Sequence, residues 1–338
     1  MRSARDPLPD ASESGPPPPG ARELAELPDL LVRPRRRRLV VRSLLAVALG
    51  WLLIGLGACR MNAHCRELLA QARSELDADG RMPRAAPFER LVPGAEHAVL
   101  FIHGWGSTPA DWHLLPEQLA EAGVSVSAPL LPGHGTTSEE FAQATAEQYV
   151  SAVLEHFDRL AASHPRVSVA GFSMGAALAL HVAEAREAER IALMAPYFAV
   201  RDPWWTILPV LTWARLMDGW LPYVDSGPEP VALKQRENAD RIVKYRVLPL
   251  AALQPLGELG KRVCDEEFLA RIEEPLLMIV SNGDRAASPA KARRRFEDLG
   301  SQSKRLESVE RSDHQLLHDY DSEHVAQLLS EFLLADHP

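Results

Sequence analysis

Gly171-Phe172-Ser173-Met174-Gly175 is the segment whose residue types and spacing are best suited to chemistry. It fits the pattern G-x-S-x-G. It follows the apolar run RVSVA and precedes AALALHVAEAREA, a strong helix former. A strand–turn–helix junction of this kind exposes the serine hydroxyl on a turn too tight for neighbouring side chains. It also aims the N-terminus of the following helix at that hydroxyl, which favours developing negative charge. A hydroxyl is a weak nucleophile near neutral pH and needs a base, oriented in turn by a carboxylate. Asp284 directly follows the apolar run PLLMIVS in the loop Asn282-Gly283-Asp284, and His314 comes later still. Ser173, Asp284 and His314 are therefore candidates for nucleophile, acid and base, in that chain order. His318 and His324 are rivals for the base. Asp313 is a rival for the acid, although a carboxylate next to the base in sequence does not easily swing behind its ring.

A reaction at a carbonyl also needs donors for the oxyanion. His103-Gly104-Trp105-Gly106 ends the apolar run HAVLFI, and its glycines let the backbone fold back so that the Trp105 N–H can point at substrate. The Met174 N–H is the second candidate donor. Each such donor is worth roughly 3 kcal/mol in the transition state. His103 itself reads as structural.

These residues need a scaffold that brings distant segments to one edge. Short apolar runs at 97–104, 124–135, 166–175, 190–196 and 275–281, with a weaker one near 304–309, read as strands. Helical patterns fall between and after them, at 108–122, 138–163, 288–299 and 322–334. Strand and helix in alternation predict an α/β fold, a doubly wound, mostly parallel sheet with helices on both faces. The stretch 197–260 breaks this rhythm. It holds Trp204, Trp205, Trp213 and Trp220, four of the seven tryptophans, interrupted by Pro203, Pro209 and Pro222. It reads as an inserted, partly helical cap or as a satellite core under a long connection. In the first case Trp204, Trp205 and Trp213 are candidates for lining an apolar substrate cleft.

The N-terminus is of a different kind. Residues 1–38 are rich in proline and charge and end in the run Arg35–Arg38. Such a segment cannot bury a core. From Ser43 to Cys59 no residue is charged, and with Leu39–Val41 the stretch is long enough to span a bilayer. Arginines before the span predict an N-terminus in the cytoplasm and the bulk of the chain outside it, on the periplasmic face of a bacterium. An uncleaved signal anchor competes here with a lipoprotein signal, since Leu56-Gly57-Ala58-Cys59 resembles a lipidation box with Cys59 as the modified residue. The expected organisation is thus an N-terminal segment (1–38), an anchor (39–59), a linker with a helix (60–94) and a catalytic domain (95–338) carrying the cap. A net charge of −9 leaves nothing basic to cover phosphate, so nucleic acid is not an expected partner. Three cysteines, Cys59, Cys65 and Cys264, make neither a disulfide scaffold nor a zinc framework. Buried or idle thiols are the plain reading, with a Cys65–Cys264 pair as the alternative.

On the GFSMG turn, the HGWG loop, Leu131-Pro132-Gly133-His134-Gly135, and the pairs Gly283-Asp284 and Asp313-His314, the chain resembles the α/β-hydrolase superfamily. Within it, the chain is similar to the carboxylesterase and monoacylglycerol lipase group, the serine-aminopeptidase-like hydrolases. The resemblance spans roughly 95–335. It implies Ser173 as nucleophile, Asp284 as acid, His314 as base, Trp105 and Met174 as oxyanion donors, and a structural His134. It implies hydrolysis of carboxylic esters through an acyl-enzyme, with no metal or organic cofactor. A thioesterase, acyltransferase or peptidase would use the same three residues, and a non-catalytic binding protein could keep the same sheet. The tryptophan-rich cap and the anchor point to a small-molecule ester or lipid as substrate. The sequence carries no signal for oligomeric state.

Overall fold

The computed structural model describes residues 34–201, 207–228 and 232–335. The chain separates into two units, one running to Gly57 and one from Ala58 onward. In the first, residues of α1 (Pro34–Ser74) present an apolar surface, with Leu44, Leu45, Trp51, Leu52 and Leu53 all exposed. By length and composition this helix is able to cross a membrane. It continues as far as Ser74, well past Cys59, where composition alone placed the end of the anchor.

The second unit is built on a seven-stranded sheet. Its strands are β1 (Phe88–Arg90), β2 (His97–Ile102), β3 (Ser125–Ala128), β4 (Arg166–Phe172), β5 (Ile191–Met194), β8 (Leu276–Ser281) and β9 (Lys304–Val309). Their order across the sheet is β1-β3-β2-β4-β5-β8-β9. All neighbours are parallel except β1, which pairs antiparallel with β3 through Phe88 and Ala128. This short edge strand lies inside the stretch read as linker; three residues are too few to give an alternating pattern.

Successive strand residues face opposite sides of the sheet. Ala98, Leu100, Ile102, Val167, Val169, Leu276 and Met278 therefore pack on one face, against α4 (Ala146–Ala161), α5 (Met174–Ala185) and α9 (Pro289–Asp298). Val99, Phe101, Ala170, Phe172, Leu277 and Ile279 pack on the other, against α2 (Leu115–Glu121) and α10 (Ser322–Leu334). Both faces being covered, β2 and β8 are buried at every position, which is why they read as continuous apolar runs rather than alternating ones. The helical stretch 138–163 is two helices, α3 (Ser138–Gln143) and α4. Thr145 breaks it by capping α4 in a reciprocal box with Gln148.

The cap follows β5. It contains α6 (Val210–Met217), an antiparallel pair β6 (Tyr223–Asp225) and β7 (Val247–Pro249), and α7 (Leu253–Arg262), with α8 (Glu266–Ala270) leading back to the sheet. Tyr245 fixes it to the Leu131–Gly135 turn: its hydroxyl donates to the Gly133 carbonyl (2.8 Å), and its ring stacks on Phe141 (4.7 Å between centroids). Within this unit the last turns of α1 also hold the cap. Asn62 Nδ2 donates to the Trp220 carbonyl (2.9 Å), His64 meets Asp225 (3.1 Å), and Cys65 and Leu69 pack on Val247. Cys59, Cys65 and Cys264 are all free thiols.

Candidate active site

The Ser173 turn is strained in the way its motif requires. Ser173 has φ 53° and ψ −114°, a conformation that side-chain-bearing residues seldom adopt. The turn is held by the Ser173 N–H donating to the Met194 carbonyl (2.9 Å) and the Tyr197 N–H donating to the Ser173 carbonyl (3.1 Å). A Cβ at Gly171 would collide with the Gly175 carbonyl oxygen, and one at Gly175 with the Ile102 carbonyl oxygen. Both glycines are there for close approach: helix α5 starts directly above the ends of β2 and β4.

His314 lies on the loop after β9 and Asp284 on the loop after β8. Ser173 Oγ is 2.9 Å from His314 Nε2, and His314 Nδ1 is 2.7 Å from Asp284 Oδ2. Asp284 Oδ1 accepts the Ala286 and Ala287 N–H groups (2.8 Å each), so the carboxylate is held on both oxygens and buried. With Nδ1–H donated to Asp284, Nε2 is left to accept the serine proton. Burial alone opposes charge on His314, but the Asp284 carboxylate outweighs it, by charge and hydrogen bond, with Asp313 and Asp111 acting at longer range. The net effect is a pKa above the ordinary imidazole value.

The rivals occupy other places. His318 is buried and its Nε2 meets the Ala110 carbonyl (3.1 Å); burial pulls its pKa down to about 4. His324 is an exposed residue of α10. Asp313 accepts the backbone N–H groups of Arg285 and His314 (2.9 Å each) and pairs with the Arg285 side chain. It therefore braces the two loops that carry Asp284 and His314.

The HGWG loop lies against Ser173: a Cβ at Gly104 would sit 3.4 Å from Ser173 Cβ. Among the described residues, neither the Trp105 nor the Met174 backbone N–H has a protein acceptor. The Trp105 side chain is tied to the cap instead, Nε1 donating to the Ala252 carbonyl (2.8 Å). His103 bridges two loops: its Nδ1 donates to the Gly104 carbonyl (2.9 Å) and its Nε2 accepts the Leu131 N–H (3.0 Å). Burial lowers its pKa to about 4, so it stays neutral. His134 is buried with its ring against Phe141 and Tyr149 and donates to the Pro132 carbonyl (3.1 Å).

Two buried carboxylates at this edge were not singled out from the sequence. Asp111 accepts the Gly104 N–H (3.0 Å) and the Ser107 hydroxyl (2.5 Å), fixing the loop that carries Trp105. Burial raises its pKa to about 6, against the opposing effect of those two hydrogen bonds. Asp319 accepts the N–H groups of Asp313 (2.8 Å), Lys234 and Gln235 (2.9 Å each), joining the His314 loop to the cap. An aspartate seven positions beyond Gly104 was the only signal for the first, and nothing local distinguishes the second.

Trp204 and Trp205 lie outside the described residues. Trp213 is placed differently from the expected cleft lining. It is half-exposed, whereas Leu211 and Ala214 of the same helix line a cavity of about 570 Å³, with Tyr197, Val200, Leu253 and Cys264. One helix cannot turn all its residues inward at 3.6 per turn, and Trp213 falls on the outer side. Neither Ser173 nor His314 lines that cavity. A smaller one, about 200 Å³, abuts the site itself, between Trp105, Gly106, Leu248 and Gln315.

The model of the serine aminopeptidase, S33 family matches residues 93–321. A thermostable monoacylglycerol lipase of Bacillus sp. (strain H-257) is 30% identical over 236 residues, which is 69% of this chain and 89% of that protein. A carboxylesterase of Bacillus subtilis (strain 168) is 23% identical over 241 residues, 71% of this chain and 93% of that one. A solved structure from the work on LipS and LipT, two metagenome-derived lipolytic enzymes, superposes with a TM-score of 0.66 at 26% identity, covering 74% of this chain and 98% of its own. The fold and the site define an α/β-hydrolase. The chain belongs to the serine aminopeptidase, S33 family of that superfamily.

Proposed function

We propose that this chain is a membrane-tethered serine hydrolase that cleaves esters of single acyl chains, of the monoacylglycerol type, through an acyl-enzyme. Its family and relatives make it a carboxylic ester hydrolase. The observation that carries the serine-hydrolase chemistry is the unbroken chain Ser173 Oγ–His314 Nε2–Asp284, with links of 2.9 and 2.7 Å.

In this reading His314 takes the Ser173 proton as Oγ attacks the ester carbonyl. The oxyanion that forms is held by the Trp105 and Met174 N–H groups. Asp284 keeps His314 in the tautomer that accepts at Nε2 and stabilises the imidazolium. His314 then protonates the leaving alcohol, and water, activated by the same imidazole, releases the acid. The preference for an acyl chain rests on the apolar side chains beside the site, Trp105, Ile242, Val243 and Leu248, and on the 30% identical lipase.

The anchor is part of the same proposal. The apolar run from Ser43 to Cys59, long enough with Leu39–Val41 to span a bilayer, supports an uncleaved signal anchor, with a lipidated Cys59 as the alternative. The arginines before it favour a hydrolase domain outside the cytoplasm. Mass spectrometry of the mature N-terminus separates the two processing routes.

The direct test of the chemistry is turnover of p-nitrophenyl esters of increasing chain length and of monoacylglycerols. The expected result is a rise in kcat/KM from acetyl to medium chains and no turnover by Ser173→Ala. A preference for thioesters or for N-terminal peptides over every ester would overturn the substrate assignment.

A further inference from the structure

We propose that Lys234, which belongs to the cap, is a positioning residue: its ammonium fastens the loop of Asp284 to the loop of His314 and so holds the hydrogen bond between those two side chains in line. Both loops leave neighbouring parallel strands, β8 and β9, whose last paired residues are Ser281 and Val309. Beyond that pair the sheet no longer fixes their separation. The Lys234 side chain reaches this gap from the cap. Its Nζ donates to the Ser312 carbonyl (3.0 Å) and to the Glu310 carbonyl (3.5 Å), on the chain leading to His314. A Cβ at Gly283 would lie 2.6 Å from the same Nζ. Gly283 directly precedes Asp284, so the ammonium rests on one loop while it bonds the other, in space that a side chain at 283 would fill. The Ser312 carbonyl is also held from the Asp284 side. It accepts the Ser281 hydroxyl (2.7 Å), whose oxygen in turn accepts the Gly283 N–H (3.1 Å).

Lys234 is not placed there as half of an ion pair. Among the described residues its ammonium meets no carboxylate, and its donors go to main-chain carbonyls. A surface lysine without an anionic partner ordinarily leaves its head in water and keeps its rotamer freedom. Here the main chain beneath it is fixed as well. The N–H groups of Lys234 and Gln235 donate to Asp319, whose carboxylate also accepts the Asp313 N–H. On either side, the Ala232 carbonyl accepts the Gln315 N–H (3.3 Å), and Asn238 Nδ2 donates to the His318 carbonyl (2.9 Å). The side chain therefore starts from a fixed point, and a bond from an ammonium is stronger than one between neutral groups. His314 Nδ1 and Asp284 Oδ2 are 2.7 Å apart, and a misplacement of about 1 Å at a catalytic group costs roughly a hundredfold in rate. The inference rests on the proposed roles of Ser173, His314 and Asp284. It goes beyond them by giving the seating of the cap a direct hold on the reaction.

The experiment uses the full chain in detergent micelles with Lys234 replaced by Met, Gln or Arg. One readout is turnover of p-nitrophenyl butyrate. The other is the proton resonance of His314 Nδ1–H, which a short bond to a carboxylate moves downfield of the amide region. Lys234→Met is expected to lower kcat about 10- to 100-fold with KM within about twofold. It should also shift or broaden the His314 resonance while leaving the melting curve nearly unchanged, because the lysine is exposed. Lys234→Arg keeps the charge and the donors and should restore most of kcat. An unchanged kcat in Lys234→Met, a loss of kcat with the resonance unmoved, or a Lys234→Arg as impaired as Lys234→Met would each overturn the proposal. Should Lys234→Met fail to fold, Lys234→Gln carries the same test. It keeps a donor without the charge, so a partial loss of kcat with a displaced resonance is expected, and wild-type values in both would overturn the proposal. The resonance needs no turnover. If wild type cleaves no ester, the proposed function falls, and the position of that proton in Lys234→Met still decides the clamp: displaced, it stands; unmoved, it falls.

Discussion

The carboxyl edge of the sheet and the outer side of the cap are built by opposite rules. At the edge, Asp111, Asp284, Asp313 and Asp319 are all buried, and each accepts at least two hydrogen bonds from neighbouring loops. Direction matters there: a buried carboxylate without donors costs too much to keep, so each one fixes the loops around it. On the outer cap the conspicuous side chains are Ile207, Trp213 and Leu216, large, apolar and exposed. Their value lies in area, not angle. A site that reacts with one carbonyl needs the first kind of construction, and exposed apolar side chains do not supply it.

That contrast predicts a steep gradient of sensitivity. The largest effect belongs to Ser173→Ala, expected to lower kcat by about a millionfold with an unchanged melting curve, and to abolish fluorophosphonate labelling. Asp284→Asn should cost about 10⁴-fold and should also reveal the pH dependence. Protonated His314 cannot accept the serine proton, so wild-type kcat/KM falls as pH drops through the raised pKa of His314. Removing the Asp284 charge leaves burial as the dominant influence, and the acidic limb should move to lower pH. A limb that stays in place would show that another group titrates there.

Gly175→Ala should destabilise the fold by about 3 kcal/mol or more, read by denaturant melts, because its Cβ meets the Ile102 carbonyl. Asp111→Ala should lower kcat roughly 10- to 100-fold with little change in KM, since it acts on the loop that carries the Trp105 donor rather than on bound ester. At the far end, Leu216→Ser should change stability by no more than about 0.5 kcal/mol. A large loss of stability there would mean that the outer face is packed after all, and the two regions would no longer differ in kind.

Much of this was legible in the residues because the signals are local. GFSMG between an apolar run and an alanine-rich helix states its own strand–turn–helix geometry. The runs HAVLFI and LLMIVS read as buried strands because they are short, uniformly apolar and followed by glycine-bearing turns. The strand β1 was missed for lack of length, the break at Thr145 because Ala144 and Ala146 look helical, and the facing of Trp213 because phase on a short helix is set by what it packs against.

The class of chemistry was readable from residue order alone: a serine, an aspartate and a histidine in workable succession, each beside a strand end, with a glycine-bearing loop to supply N–H donors. Which histidine comes to lie beside Ser173 was decided by folding, because His314 and His318 lie four positions apart and differ in what surrounds them. One faces Ser173 and Asp284, the other the Ala110 carbonyl. Folding also gave Asp111 and Asp319 their places at the site. Their partners come from other segments of the chain, and hydrogen bonds between segments leave no periodic trace in a sequence.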